Sequence, residues 1–204
     1  APGTYHETIN FLGKAITLRS SGGADVTTID ATGLKGSVVR CVSDEGPDTV
    51  LDGFTITGGT FSGMYNYSSS PTVTDCTFSG NTGYNGGGMY NRFKSSPTVS
   101  GCPFNANTAP SSLFEGGAGG GMYNEDSSPI VTNCAFNGNT AVAGGAMHNR
   151  SSSPTMTDCT FIGNKATING GGIVSVGSIL TVMNSTFSGN ESTYQGGGLV
   201  NAFG

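Results

Sequence analysis

The sequence predicts an all-β solenoid of about eight coils of about 25 residues each. Three observations lead there: the composition, an internal repeat, and short β-branched segments with no helical period between them. Glycine makes up 35 of the 204 residues and charged residues only 10%, where ordinary domains hold about 7% and about 25%. That composition excludes an ordinary helical or α/β enzyme domain. It also excludes disorder, because 35% of the residues are hydrophobic and the net charge is only −5. With 8 Lys plus Arg and a pI near 4.7, the chain has no basic stripe for nucleic acid. No run of about 18 apolar residues offers a membrane span.

The repeat is plain. PTVTDCTFSGNTGYNGGGMYN, from Pro71, returns as PTVSGCPFNANT with GGGMYN from Pro97 and as PIVTNCAFNGNT with GGAMHN from Pro129. It returns again as PTMTDCTFIGNK with GGGIVS from Pro154 and LTVMNSTFSGNE with GGGLVN from Leu180. A worn copy places Leu51, Phe54, Ile56 and Gly58 at the positions of Val73, Cys76, Phe78 and Gly80. Aligned this way, one apolar column reads Leu51, Val73, Val99, Val131, Met156, Val182, and another Ile56, Phe78, Phe104, Phe136, Phe161, Phe187. A third reads Met64, Met89, Met122, Met147, Ile173, Leu199. Each unit has too few apolar side chains for a core of its own, so stacking the units is what buries them. TVT and TMT segments, bounded by Gly, Asn and Ser-Ser-Pro, read as strands and tight turns, with Pro71, Pro97, Pro129 and Pro154 at strand starts. The expected unit is one domain over residues 1–204, with irregular first coils over 1–35 and regular repeats over 36–204.

The polar columns have readable chemistry. Asn81, Asn107, Asn139, Asn164 and Asn190 always follow the Phe column by three residues and are expected to hydrogen-bond amide to amide along the axis and to suit a corner. Cys76, Cys102, Cys134 and Cys159 continue as Phe54 on one side and Ser185 on the other, with no His or acidic column beside them, so they read as buried, reduced thiols. Cys41 lies off that column. Arg92, Glu125 and Arg150 form a column of alternating charge, and His148 takes the place of Tyr90 and Tyr123 in an outward column. Thr72, Thr74, Thr98, Thr155 and Thr157 point away from the core as a T-x-T array, broken by Ile130 and Met183, that resembles the ice-binding faces of some β-solenoid antifreeze proteins. Glu115, within the insertion SSLFEGGA, and Glu125, beside it, complete a candidate binding face, since solenoid insertions gather on one. N-x-S/T sequons begin at Asn66, Asn149, Asn184 and Asn190.

On these repeats, and on FSGN at Phe78 with GGGMYN at Gly86, the sequence resembles the right-handed parallel β-helix family, the pectate-lyase-like superfamily. The Phe-x-x-Asn and Gly-Gly pairing also looks like the repeats of chlamydial polymorphic membrane proteins and related bacterial surface proteins. The opening PGTYHETINFLGKAITLRS resembles a first β-helix coil. The resemblance implies the fold; the expected function, for want of an acid cluster, is a non-enzymatic structural or binding solenoid, extracellular or on the cell surface: an adhesin, stalk or filament segment. A carbohydrate-active lyase or hydrolase is the alternative, and ice binding a further one. Catalysis in the resembled enzymes uses clustered acids. Here Asp75 and Asp158 share a column three coils apart, and only Asp52 and Asp75 could approach each other. No catalytic, cofactor or metal residue is assigned. Expected partners are glycans and further coils or copies of the same protein stacked end to end, because neither end carries a recognisable cap. Ile9, Phe11, Ile16 and Phe203 are the expected contacts.

Overall fold

The described strands are two to six residues long, and in the regular coils most of them end at a corner residue in the left-handed region. After Thr72–Thr74 comes Asp75 (φ 50°), and after Thr77–Ser79 comes Gly80 (φ 64°). Phe93 (φ 54°) follows Met89–Arg92. The first of these corners repeats as Gly53, Asp75, Gly101, Asn133, Asp158 and Asn184, all between φ 48° and 77°. Gly, Asn and Asp adopt that region at the least cost. Asp75 and Asp158 are therefore corner residues, which explains why they share a column without meeting.

The computed structural model describes residues 1–110 and 117–202. Equivalent strands of successive coils pair in parallel. Among the described residues they form four sheets: eight strands bearing the Phe column, eight bearing the Met column, seven bearing the Val column, and four short strands beginning at Thr108–Ala109. The chain thus makes about seven full turns. The division of length by repeat gives eight, but coils range from 22 residues (Phe54 to Cys76) to 33 (Asn91 to Asn124). Residues before the repeats join the same sheets, Gly3–Tyr5 pairing with Thr27–Asp30 and Thr17–Arg19 with Val50–Asp52. No described helix is long and apolar enough to cross a membrane.

Alternation along each strand turns one set of side chains inward. Leu51, Val73, Val99, Val131 and Met156 are fully buried, as are Met64, Met89, Met122 and Met147. Phe78, Phe104, Phe136, Phe161 and Phe187 stack with centroids 4.6–5.0 Å apart and planes within 10°, the spacing that the sheet itself imposes.

Ladders take up most polar groups inside the coil, although Asn66 Oδ1, Asn149 Nδ2 and Ser175 Oγ are buried without a hydrogen-bond partner. Each interior Asn of the first column uses all of its amide: Asn139 Nδ2 donates to Asn164 Oδ1 (2.9 Å) and to the Phe104 carbonyl (2.8 Å), and its Oδ1 accepts from Asn107 N–H (2.9 Å) and Nδ2 (3.0 Å). The left-handed corner that the sequence reading gave to Asn belongs instead to the residue before it, such as Gly80 or Gly138. A second ladder, Asn66 to Asn91 to Asn124 to Asn149, runs with 2.8 Å steps under the Met sheet, and Cys41 heads that column. Asn66 and Asn149 are fully buried, so those two sequons are closed to glycosylation in the folded state.

The thiols are hydrogen-bonded as well as packed. Cys76 N–H donates to Cys102 Sγ and Cys102 N–H to Cys134 Sγ, both at 3.4 Å, and Ser185 Oγ takes the same place for Cys159 N–H at 3.1 Å. Ser185 can continue the column because it supplies the same acceptor. All five cysteines are free and buried. Burial pushes Cys76 up to about 12 and Cys159 up to about 11. Burial pushes Cys102 well up, whereas hydrogen bonding with Cys102 pulls Cys134 down. Thiolate formation and reagent access are both needed for reaction, so a thiol-reactive chromophore should label the native chain slowly and count five thiols only after denaturation. Fast labelling of the native column, or disulfides between coils, would show that it is open.

Candidate functional site

The outer face of the Met sheet gathers aromatic and charged side chains into one strip. Strands Met89–Arg92, Met122–Glu125 and Met147–Arg150 bury Met and Asn, so Tyr90, Tyr123 and His148 stand outward in one column and Arg92, Glu125 and Arg150 in the next. Rings follow one another along the rod: Phe61 on Tyr65 (5.3 Å), Tyr65 on Tyr90 (5.4 Å), Tyr90 on Tyr123 (5.3 Å) and Tyr123 on His148 (5.3 Å). Beside them Tyr67 meets Phe93 at 5.0 Å, and the Arg92 guanidinium lies 4.7 Å over the Phe93 ring. Phe61, Tyr67 and Phe93 are about two-fifths exposed, whereas Tyr90 and Tyr123 are covered by Ala118 and their neighbours. The outward column is therefore only partly a solvent surface. Burial, and then the Arg150 charge, hold the His148 imidazole down at about 4, so it is neutral at pH 7.

Glu125, expected on the binding face, is half-buried and already engaged: Arg92 Nε lies at 2.8 Å, Arg150 Nη1 at 3.7 Å, and Tyr90 Oη donates to it at 3.2 Å. It organises the strip, its charge already paired with two arginines. Glu115 and Phe203 lie outside the described residues. Thr72, Thr74, Thr98, Thr155 and Thr157 align on the outer face of the Val sheet, where Ile130 and Met183 interrupt them. A second outward Thr column, Thr55, Thr77, Thr160 and Thr186, interrupted by Pro103 and Ala135, runs on the Phe sheet; in the sequence it shows as the Thr before Phe78, Phe161 and Phe187. Asp52 registers with Thr74 and is paired with Arg19 instead of turning toward Asp75. Among the described residues, no group of three His, Cys, Asp or Glu side chains could hold a metal ion.

A family model described as the right-handed β-helix region matches residues 49–203. The chain belongs to the right-handed β-helix family. No curated protein and no solved structure gave a significant match, and the likeness to chlamydial surface proteins gains no support from these comparisons. The β-helix match covers all the Phe, Cys and Asn columns and the strip from Phe61 onward, and leaves the first coils outside it. Those first coils border the Phe61 end of the strip. There a cleft of about 270 Å³ is lined by Thr8, Lys35, Gly36, Ser37, Arg40, Phe61 and Tyr65.

Proposed function

We propose that this β-helix is a non-enzymatic structural and binding rod of a secreted or cell-surface protein, an adhesin, stalk or filament segment, that holds glycans on its aromatic face. The observation that carries the reading is the run of half-exposed rings, Phe61, Tyr65, Tyr67 and Phe93, with Arg92 laid across the last of them. Such rings offer flat apolar area with few rotors to freeze, and the guanidinium adds directional donors for hydroxyl groups. The parallel sheets and buried amide ladders behind them supply a rigid backing. Binding to a glycan array should weaken about tenfold or more in the double variant Tyr67→Ala/Phe93→Ala, the loss of two stacking contacts. Cleavage of array glycans that disappears in Glu125→Gln or Asp75→Asn would favour the enzymatic alternative.

The same reading has coils continuing end to end. Of the apolar groups expected at the first coil, Ile16 is exposed and Ile9 half-buried, but Phe11 is buried and takes no part. At the other end Leu199 is exposed, and Val182 and Phe187 are half-buried. Contact between unlike ends does not close on itself, so copies of the 204-residue chain would form fibres. Sedimentation shows this as mass rising with concentration, and a monomer well above micromolar refutes it.

A further inference from the structure

We propose that the cleft between Lys35, Arg40, Phe61 and Tyr65 is a binding site for a sugar ring bearing a negative charge, a sulfate ester or a carboxylate. The proposal rests on the glycan reading above and assigns it a place and a ligand class.

The cleft exists because of a local departure from the repeat. In the coil that carries Met89, five residues separate Asn81 from Gly87; in the coil before it, only Thr60 and Phe61 separate the equivalent Gly59 and Ser62. The longer loops of later coils carry the fourth sheet, which begins with the bridge from Thr82 to Thr108 and passes Asn85 and Ala118. That sheet and its loops cover the tyrosine column. The shorter loop leaves Tyr65 and Arg40, its registered partner one coil earlier, without that cover. Glycine changes role in the same place. A Cβ at Gly86 would collide with the Met89 carbonyl oxygen, so that coil admits no side chain there. The earlier coil has Phe61 instead, held by its N–H bond to the Gly36 carbonyl at 3.1 Å.

The lining is chemically one-sided. Lys35 and Arg40 are exposed, neither makes an ion pair among the described residues, and no carboxylate lines the cleft. Two unpaired cations facing one small space favour an anion, and a guanidinium can grip a sulfate or carboxylate through two donors. Phe61 stands edge-on to Tyr65, at 84°, with two-fifths of its surface open. An exposed ring of this kind accepts the apolar face of a pyranose, and Thr8 adds a hydroxyl at the rim. A bare anion would use the cations and leave the aromatic wall empty. A neutral sugar would do the reverse.

Calorimetric titration of the 204-residue chain tests this with four probes: a sulfated hexasaccharide, a uronate hexasaccharide, cellohexaose and inorganic sulfate. At least one charged oligosaccharide should bind about tenfold or more tighter than cellohexaose and than inorganic sulfate, and whichever is preferred names the charged group. Arg40→Gln and Lys35→Gln should each remove most of that preference without changing the melting temperature, and Lys165→Gln, on the fourth sheet, should leave it intact. Equal binding of charged and neutral oligosaccharides overturns the anion assignment and leaves the glycan reading standing. Charged-sugar binding that ignores Arg40→Gln and Lys35→Gln overturns the location, and inorganic sulfate binding as tightly as the sulfated sugar overturns the sugar. Absence of binding to all four probes, with a blank glycan array, removes both readings.

Discussion

Phe136→Ala is expected to cost about 3–5 kcal/mol, lowering the melting temperature by about 6–20 °C in a chain of this size. The ring is fully buried between Phe104 at 4.7 Å and Phe161 at 5.0 Å. Nothing nearby can move into the hole. The rings above and below are held at strand spacing by their own backbones, and the neighbouring Gly121 approaches so closely that a Cβ there would lie 2.8 Å from the ring. Deleting the ring therefore removes apolar burial and leaves most of the cavity open. Phe187→Ala, the same change where the ring is only half-buried, should cost clearly less. Urea titrations of the two variants compare them directly, and equal losses would mean that stacking position does not matter. Because each coil touches only its neighbours, the Phe136 variant should also split unfolding into separable segments.

The Phe, Val and Met columns were legible because identical residues recur where the fold gives them identical surroundings. Burial by stacking follows from that pattern alone. Registry of the first coils was not legible: Gly3–Tyr5 and Thr27–Asp30 pair through backbone geometry, with no shared side-chain motif. The second Asn ladder lies inside GGGMYN, where nothing in the pattern distinguishes a buried, hydrogen-bonded Asn91 or Asn124 from any other strand residue. The hydrogen-bonding role of the Cys column shows in sequence only through Ser185, which a packing column would not favour. Least legible was the cleft at Phe61, since a loop shortened by three residues removes cover without leaving any motif of its own. The charge column was read correctly, yet Glu125 was read as available, and only geometry reveals that Arg92, Arg150 and Tyr90 already occupy it.

Asn139→Ala should be as damaging as the loss of a core ring, about 2–6 kcal/mol, because it orphans the Asn107 N–H and one Asn107 amide hydrogen at about 1–3 kcal/mol each. The Phe104 carbonyl and Asn164 Oδ1 each lose a donor as well. Asn190→Ala, at the half-buried last rung, should cost less because water can replace the lost partners. Asn139→Asp separates hydrogen bonding from space filling. The carboxylate keeps both acceptor bonds but turns a negative charge toward the Phe104 carbonyl and Asn164 Oδ1, which need a donor. Folding therefore raises the pKa of Asp at this position, and the protonated form, with its one O–H, is the better fit. The penalty should be smallest below the unfolded pKa of about 3.9 and grow as pH rises toward the folded value. It must be read against the parent chain at each pH. There Glu45 behaves oppositely: burial raises it, but N–H groups of Gly13 and Ser43 and the Ser69 hydroxyl outweigh that and hold it below its usual range. Its contribution is present at neutral pH and is lost as pH falls through that lowered value. A difference in stability between Asn139→Asp and the parent that does not narrow from pH 7 to pH 4 would mean that the ladder acts by shape alone.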